Sequence, residues 1–235
     1  MEFKLELGSL PKSRLKDMAA AGDEILEAYR VLRKANTNVV GQVLAHQGTF
    51  YEEDHYPKGD VYDDETKSQY YYHAHRVEAG EHGHFHTFVR AGGIPASVKP
   101  APYAGPADRP LGKDVICHLV AISMSEPGIP IGLFTVNRWV TGETFYSAAD
   151  TLKIAARFKI DHVYPCLAVN RWITAMLRLF RPQLEALLVE RDCVIAEWIR
   201  RHNDRDAYED RELETTSSLP IDVEQQIAAV HEALR

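Results

Sequence analysis

Residues Tyr70 to Phe88 read YYYHAHRVEAGEHGHFHTF, and the way this stretch folds decides where the chemistry of the chain lies. It holds five of the eleven histidines: His73 and His75, then His82, His84 and His86, each two residues from the next within its group. A period of two belongs to the β-strand, whose successive side chains point to opposite faces. His73 and His75 therefore share a face of one strand, and His82, His84 and His86 share a face of the next. Gly80, in the short VEAGE link, suits a tight turn, so the stretch reads as a β-hairpin. A turn centred between Ala79 and Gly80 sets His75 opposite His84 and His73 opposite His86. Opposed side chains of an antiparallel pair share a face, with Cβ atoms about 4.5–5.5 Å apart. Neighbours along one strand are about 6.5–7 Å apart. Four imidazoles then form a square on one face. A slip of one residue would send the two sets to opposite faces.

Phe88 and Val77 flank this square, while Tyr72, Ala74, Phe85 and Val89 make the other face apolar. Imidazoles in such a half-buried sheet leave many ring nitrogens without partners. A divalent metal satisfies several at once, and imidazole suits zinc, copper, iron and nickel. The alternatives are a metal-free proton-transfer site and a set of solvated polar positions. The expected ligands are three of His73, His75, His84 and His86, with His118 in reserve on a second hairpin. Tyr71 shares the face of His73 and is placed to hydrogen-bond a bound oxygen species. His82, in line with His84, and Asn137, an amide on a later strand, complete the candidate catalytic set. A shell of neutral imidazoles leaves the ion's charge uncompensated, which favours a bound hydroxide, dioxygen or a small anionic substrate. Three imidazoles and an open position serve hydrolysis with zinc or oxygen chemistry with iron or copper. The absence of thiolate ligands tilts the expectation toward an iron- or copper-type oxidoreductase, with a zinc hydrolase or a non-catalytic metal-binding protein as the alternatives.

The chain as a whole sets bounds on these readings. Its 235 residues, read as a single domain, are ample for a core, and 45% apolar content excludes wholesale disorder. A formal net charge of −7 argues against a general nucleic-acid binder. Cys117, Cys166 and Cys193 are widely spaced and form no CxxC, which suits a reducing compartment. With no apolar signal near the start and no run of membrane-spanning length, a cytoplasmic protein without a membrane partner is expected.

Along the chain, residues 10–35 read as a helix weakened at Gly22-Asp23, and Val39 to His46 as a first strand. Residues 50–69 read as an acidic loop whose Asp60, Asp63, Asp64 and Glu65 are candidate carboxylate ligands. Residues 91–112, rich in Gly and Pro, cannot form a regular helix or a central strand. They are either a lid over the histidines or an extended connector. Val115 to Met124 and Ile129 to Thr141 read as strands, with Ile116, His118, Val120 and Ile122 on one face. From Ser147, which with Asp150 resembles a capping box, the pattern is helical through 147–235. Residues 202–220 read as a surface loop, and the last helix, 221–234, offers a homodimer contact. Helices, then strands, then helices give an α+β fold. An antiparallel sheet over 39–141, curled toward a half-barrel, would be backed by the terminal helices.

Three resemblances arise at the hairpin. His73-Ala-His75 followed by Glu78 or Glu81 resembles the first metal motif of cupins, in which an HxH pair, a glutamate and a later histidine bind iron, manganese, nickel or zinc. On the paired register, however, both glutamates face away from the histidines. His82-Gly-His84-Phe-His86 resembles the histidine-triad nucleotide hydrolases and transferases, which implies His84 as a nucleophile toward phosphorus. The longer stretch from Gly59 to Arg90 resembles the core of an uncharacterised bacterial family.

Overall fold

The computed structural model describes residues 7–75, 80–103 and 105–235. The fold is α+β, with an open antiparallel sheet of six strands in the order β1-β2-β3-β4-β5-β6. These strands are β1 Tyr56–Tyr62, β2 Ser68–His73, β3 Gly83–Arg90, β4 Ile116–Met124, β5 Pro130–Val136 and β6 Thr215–Pro220. Around them lie α1 Lys12–Lys34, α2 Val39–Leu44, α3 Arg138–Thr141, α4 Ala148–Ala155, α5 Leu167–Leu179, α6 Arg181–Arg201 and α7 Val223–Ala233.

Alternation along the central strands divides the sheet. Tyr70, Tyr72, Phe85, Val89, Val120, Ile122 and Leu133 enter the main core. There the Phe85 ring lies 5.5 Å from that of Trp172 on α5. The opposite face carries Tyr71, His73, His84, His86 and Phe88, continued on β4 and β5 by a small apolar cluster of Ala121, Phe134 and Val136.

Several elements differ from the sequence expectation. Val39 to Leu44 is helix α2 rather than a strand, because a short apolar run has no decisive period and its cap settles the matter. Asn38 caps it, the side-chain oxygen accepting from Gly41 N at 2.8 Å, while Nδ2 donates to Pro127 O. Replacing Asn38 with alanine should therefore cost about 1 kcal/mol, read as a lower urea midpoint at unchanged slope. Gly22 does not break α1. A Cβ there would stand 2.9 Å from Ile227 Cγ1, so the glycine serves close contact between α1 and α7.

Within the expected acidic loop lies β1, an edge strand, where Pro57 is tolerated. Gly59 and Asp60 have positive φ, and the β1–β2 register shifts between Tyr56 and Val61. Asp63 shapes the following turn by accepting from Glu65 N and Thr66 N. The expected strand 129–141 ends at Val136 and turns into α3. The expected loop 202–220 contains β6, whose polar TTSSLP sequence has no hydrophobic alternation to announce it. The sheet is open, with β1 and β6 as its edge strands. The described residues of segment 91–112 run as a connector, tied by Ala101 N to Phe145 O, Arg138 to Asp108 O and Thr144 to Pro110 O.

Candidate metal centre

The β2–β3 hairpin pairs His73 with His84 and Tyr71 with His86. The expected register is therefore displaced by two residues. A shift of two preserves the face, so the histidines still meet although their partners change. His75 follows the end of β2, its ring 5.0 Å from that of His84 and 4.9 Å from that of His73.

One ring nitrogen from each of His73, His75 and His84 lies within 4.8 Å of the other two, an arrangement able to hold a metal ion. His84 is wholly buried, while His73 and His75 are half-buried, so the set opens toward solvent on the β2 side. His73 Nε2 stands 2.7 Å from His84 Nε2. The other nitrogen of His84, Nδ1, is hydrogen-bonded to Glu81 Oε1. A carboxylate there holds the proton on Nδ1 and leaves Nε2 as a lone pair aimed at the cluster.

Glu81 was expected to face away. The alternation does not reach it, because β3 begins only at Gly83 and the chain enters the strand from a turn. His82 is displaced for the same reason. Instead of standing beside His84, it bonds Tyr72 Oη through Nδ1 at 2.6 Å and stacks on Phe50 at 5.7 Å. Gly83 makes that contact possible, since a Cβ there would lie 2.5 Å from Tyr72 Oη and 2.6 Å from His73 O. Gly83→Ala should cost about 2 kcal/mol in urea unfolding, because one of the two obstructing atoms is backbone and cannot swing aside. Val77 and Glu78 lie outside the described residues.

His86 and His118 form a second pair, with His86 Nδ1 2.9 Å from His118 Nε2. His118 reaches this face through a bulge. The β3–β4 register shifts between Thr87 and Phe88, setting His118 opposite Phe88 and Ala121 opposite His86. His118 therefore does not share a face with Val120 and Ile122, as simple alternation had implied. Burial first, then the charges of Arg191 and His84, push the His118 imidazole down to about 3, so it is neutral at ordinary pH. Its backbone N donates to Glu143 Oε2 at 2.7 Å. Glu143 is itself fully buried, and its carboxyl is raised to about 7 by desolvation, against the lowering pull of Arg191.

Tyr71 lies among these rings, 5.3 Å from His73, 5.2 Å from His86 and 5.5 Å from Phe88. Burial raises its phenol above the ordinary range, so it remains protonated. His55, which no periodicity announced, lies flat on Tyr71 at 3.6 Å and edge-on to His73 at 5.7 Å. Asp60 holds His55 at Nδ1 and accepts from Gln69 Nε2, so this acidic residue shapes the rim. Phe134 closes the opposite side, 5.1 Å from His84. Asn137 has another task. Its Oδ1 caps α3 at Arg138 N and its Nδ2 donates to Ala207 O, so both ends of the amide are committed to backbone.

The sequence model described as Domain of unknown function (DUF6969) matches residues 19–221. The chain belongs to this family. The DUF6969 span extends far beyond Gly59 to Arg90, and takes in the whole sheet together with every residue of the histidine cluster. No curated protein and no solved structure matches the chain. Among the described residues, no helix is long and apolar enough to cross a membrane.

Proposed function

We propose that this chain is a metal-dependent enzyme with a mononuclear centre on His73, His75 and His84, acting as an iron- or copper-type oxidoreductase on a small anionic molecule. The observation that carries it is the state of His84. One nitrogen is fixed by Glu81 and the other meets His73 Nε2, with His75 alongside. Carboxylate–histidine–metal arrangements have this form, the outer carboxylate fixing the tautomer and raising ligand basicity. Bound iron or copper would supply one-electron chemistry that no side chain of the cluster offers. Around it, Glu81 holds the Nδ1 proton, Tyr71 keeps a phenolic donor beside His73, and Phe88 and Phe134 exclude water. His55 on its Asp60 tether narrows the approach from solvent. Engagement of both His84 nitrogens also favours a ligand role over that of a nucleophile toward phosphorus.

The experiment is elemental analysis of protein purified without a histidine tag, before and after anaerobic incubation with Fe(II), Cu(II) or Zn(II). About one equivalent of iron or copper is expected. Zinc alone would move the reading to a hydrolase, and no retained metal of any kind would end it.

A further inference from the structure

Among the described residues, seven buried side-chain polar atoms lack a hydrogen-bond partner, and five of these come from one junction. Three are the guanidinium nitrogens of Arg109, and the others are Thr141 Oγ1 and Glu143 Oε1. Native interiors satisfy nearly all such atoms, so a cluster of orphans points to something that completes it.

The chain brings the segments that carry these residues together, and the charge of Arg109 reaches the Glu143 carboxyl. Arg138 Nη2 donates to Asp108 O at 2.6 Å and Nε to Glu143 O at 3.0 Å, while Thr144 Oγ1 donates to Pro110 O at 2.9 Å. These bonds press residues 108–110 of the connector against 138–144. The Arg109 guanidinium carbon lies 3.3 Å from the Tyr103 ring centroid and 4.9 Å from that of Tyr208. Aromatic contacts use the flat face of a guanidinium and leave its N–H edge for a second partner. Charge points the same way. Arg138 is paired with Glu209 and Arg191 with Asp192, whereas Arg109 bonds no carboxylate among the described residues.

We propose that Arg109, Thr141 and Glu143 form a binding pocket for a small oxyanion, a carboxylate or phosphate group, at the junction of residues 108–110 with 138–144. The planar fork of Arg109 matches two oxygens of such a group, and the Thr141 hydroxyl donates to a third position. Burial raises the Glu143 carboxyl to about 7, so its charge opposes the anion less than an exposed carboxylate would. The pocket shares no ligand with the imidazole cluster and does not depend on a metal being bound there.

The test is calorimetric titration of the full chain near pH 6 with sodium phosphate and, separately, sodium succinate, at constant ionic strength. Saturable binding of one anion is expected, with a Kd below about 1 mM. The arm that binds identifies the group. Arg109→Lys, which keeps the charge but loses the fork, should weaken it about tenfold, and His75→Ala should leave it unchanged. Should Arg109→Lys not fold, Thr141→Val decides in its place, with a loss of about threefold or more expected. Failure of both anions to saturate by about 10 mM, or wild-type affinity in the deciding variant, would overturn the pocket and leave these atoms to water.

Discussion

Replacing Glu81 with glutamine should weaken metal affinity by about 10–100-fold while leaving the fold intact. Replacing His84 with alanine should lower bound metal to background. The two variants separate the ligand from the group that orients it. Glutamine can still accept from His84 Nδ1, but it lacks the negative charge that raises the basicity of Nε2. It can also turn its amide nitrogen toward the ring and force the other tautomer, with the proton on the atom meant for the metal. Competition with a chromophoric chelator reads the affinity, and near-ultraviolet circular dichroism checks the packing of Tyr71, Phe88 and Phe134. A Glu81→Gln protein that binds within about twofold of wild type would mean that Glu81 does not tune the site.

The second large effect concerns pH. Glu143 titrates near its ordinary 4.5 in the unfolded chain and near about 7 in the folded one, chiefly because burial disfavours its charge. Between these values the folded chain holds a proton that the unfolded chain has released, so stability falls as pH rises through that window. At 1.36 kcal/mol per tenfold change in proton affinity, the penalty above pH 7 is about 3 kcal/mol. Arg191, Arg138 and Arg109 oppose it but do not cancel it. Glu143→Gln removes the titration. Its stability relative to wild type should therefore be higher at pH 8 than at pH 4 by about 3 kcal/mol, a comparison in which altered hydrogen bonds largely drop out. Urea unfolding of metal-free protein at the two pH values measures it. A difference that does not change with pH would show that Glu143 titrates normally and that its burial is compensated.

Much of the fold and the face of the site were legible in the histidine stretch, because a period of two assigns faces whatever the register. The register itself was not. It depends on a turn whose geometry VEAGE does not dictate, and a displacement of two residues leaves the hydrophobic pattern equally satisfied. Alternation also fails wherever a strand is irregular. Glu81 and His82 precede the first residue of β3, and one bulge reverses the parity of β4 between His118 and Val120. Glu81 and His118 accordingly joined the cluster, and His82 left it, for reasons that spacing could not show. His55 was invisible because it belongs to an edge strand's approach, where Pro57 and Gly59 read as loop. The helices were easier, since α1, α5 and α6 repeat apolar residues over several turns, whereas VVGQVL is too short to distinguish strand from helix.

The closeness of the three proposed ligands along the chain bears on the order of assembly. His73, His75 and His84 belong to one hairpin, so gathering them closes only a short loop. The entropy lost in closure grows with loop length, and loops of about ten residues close within about 10–100 ns. A chain synthesised from its N-terminus completes this set when Arg90 has emerged, before β4, β5 or any of the helices after them exist. An ion captured then would fix the β2–β3 register, which the turn leaves open, and so give the later strands a single edge on which to add. For this protein, metal supply during synthesis would bear on how reliably the sheet is built as well as on what the finished sheet can do.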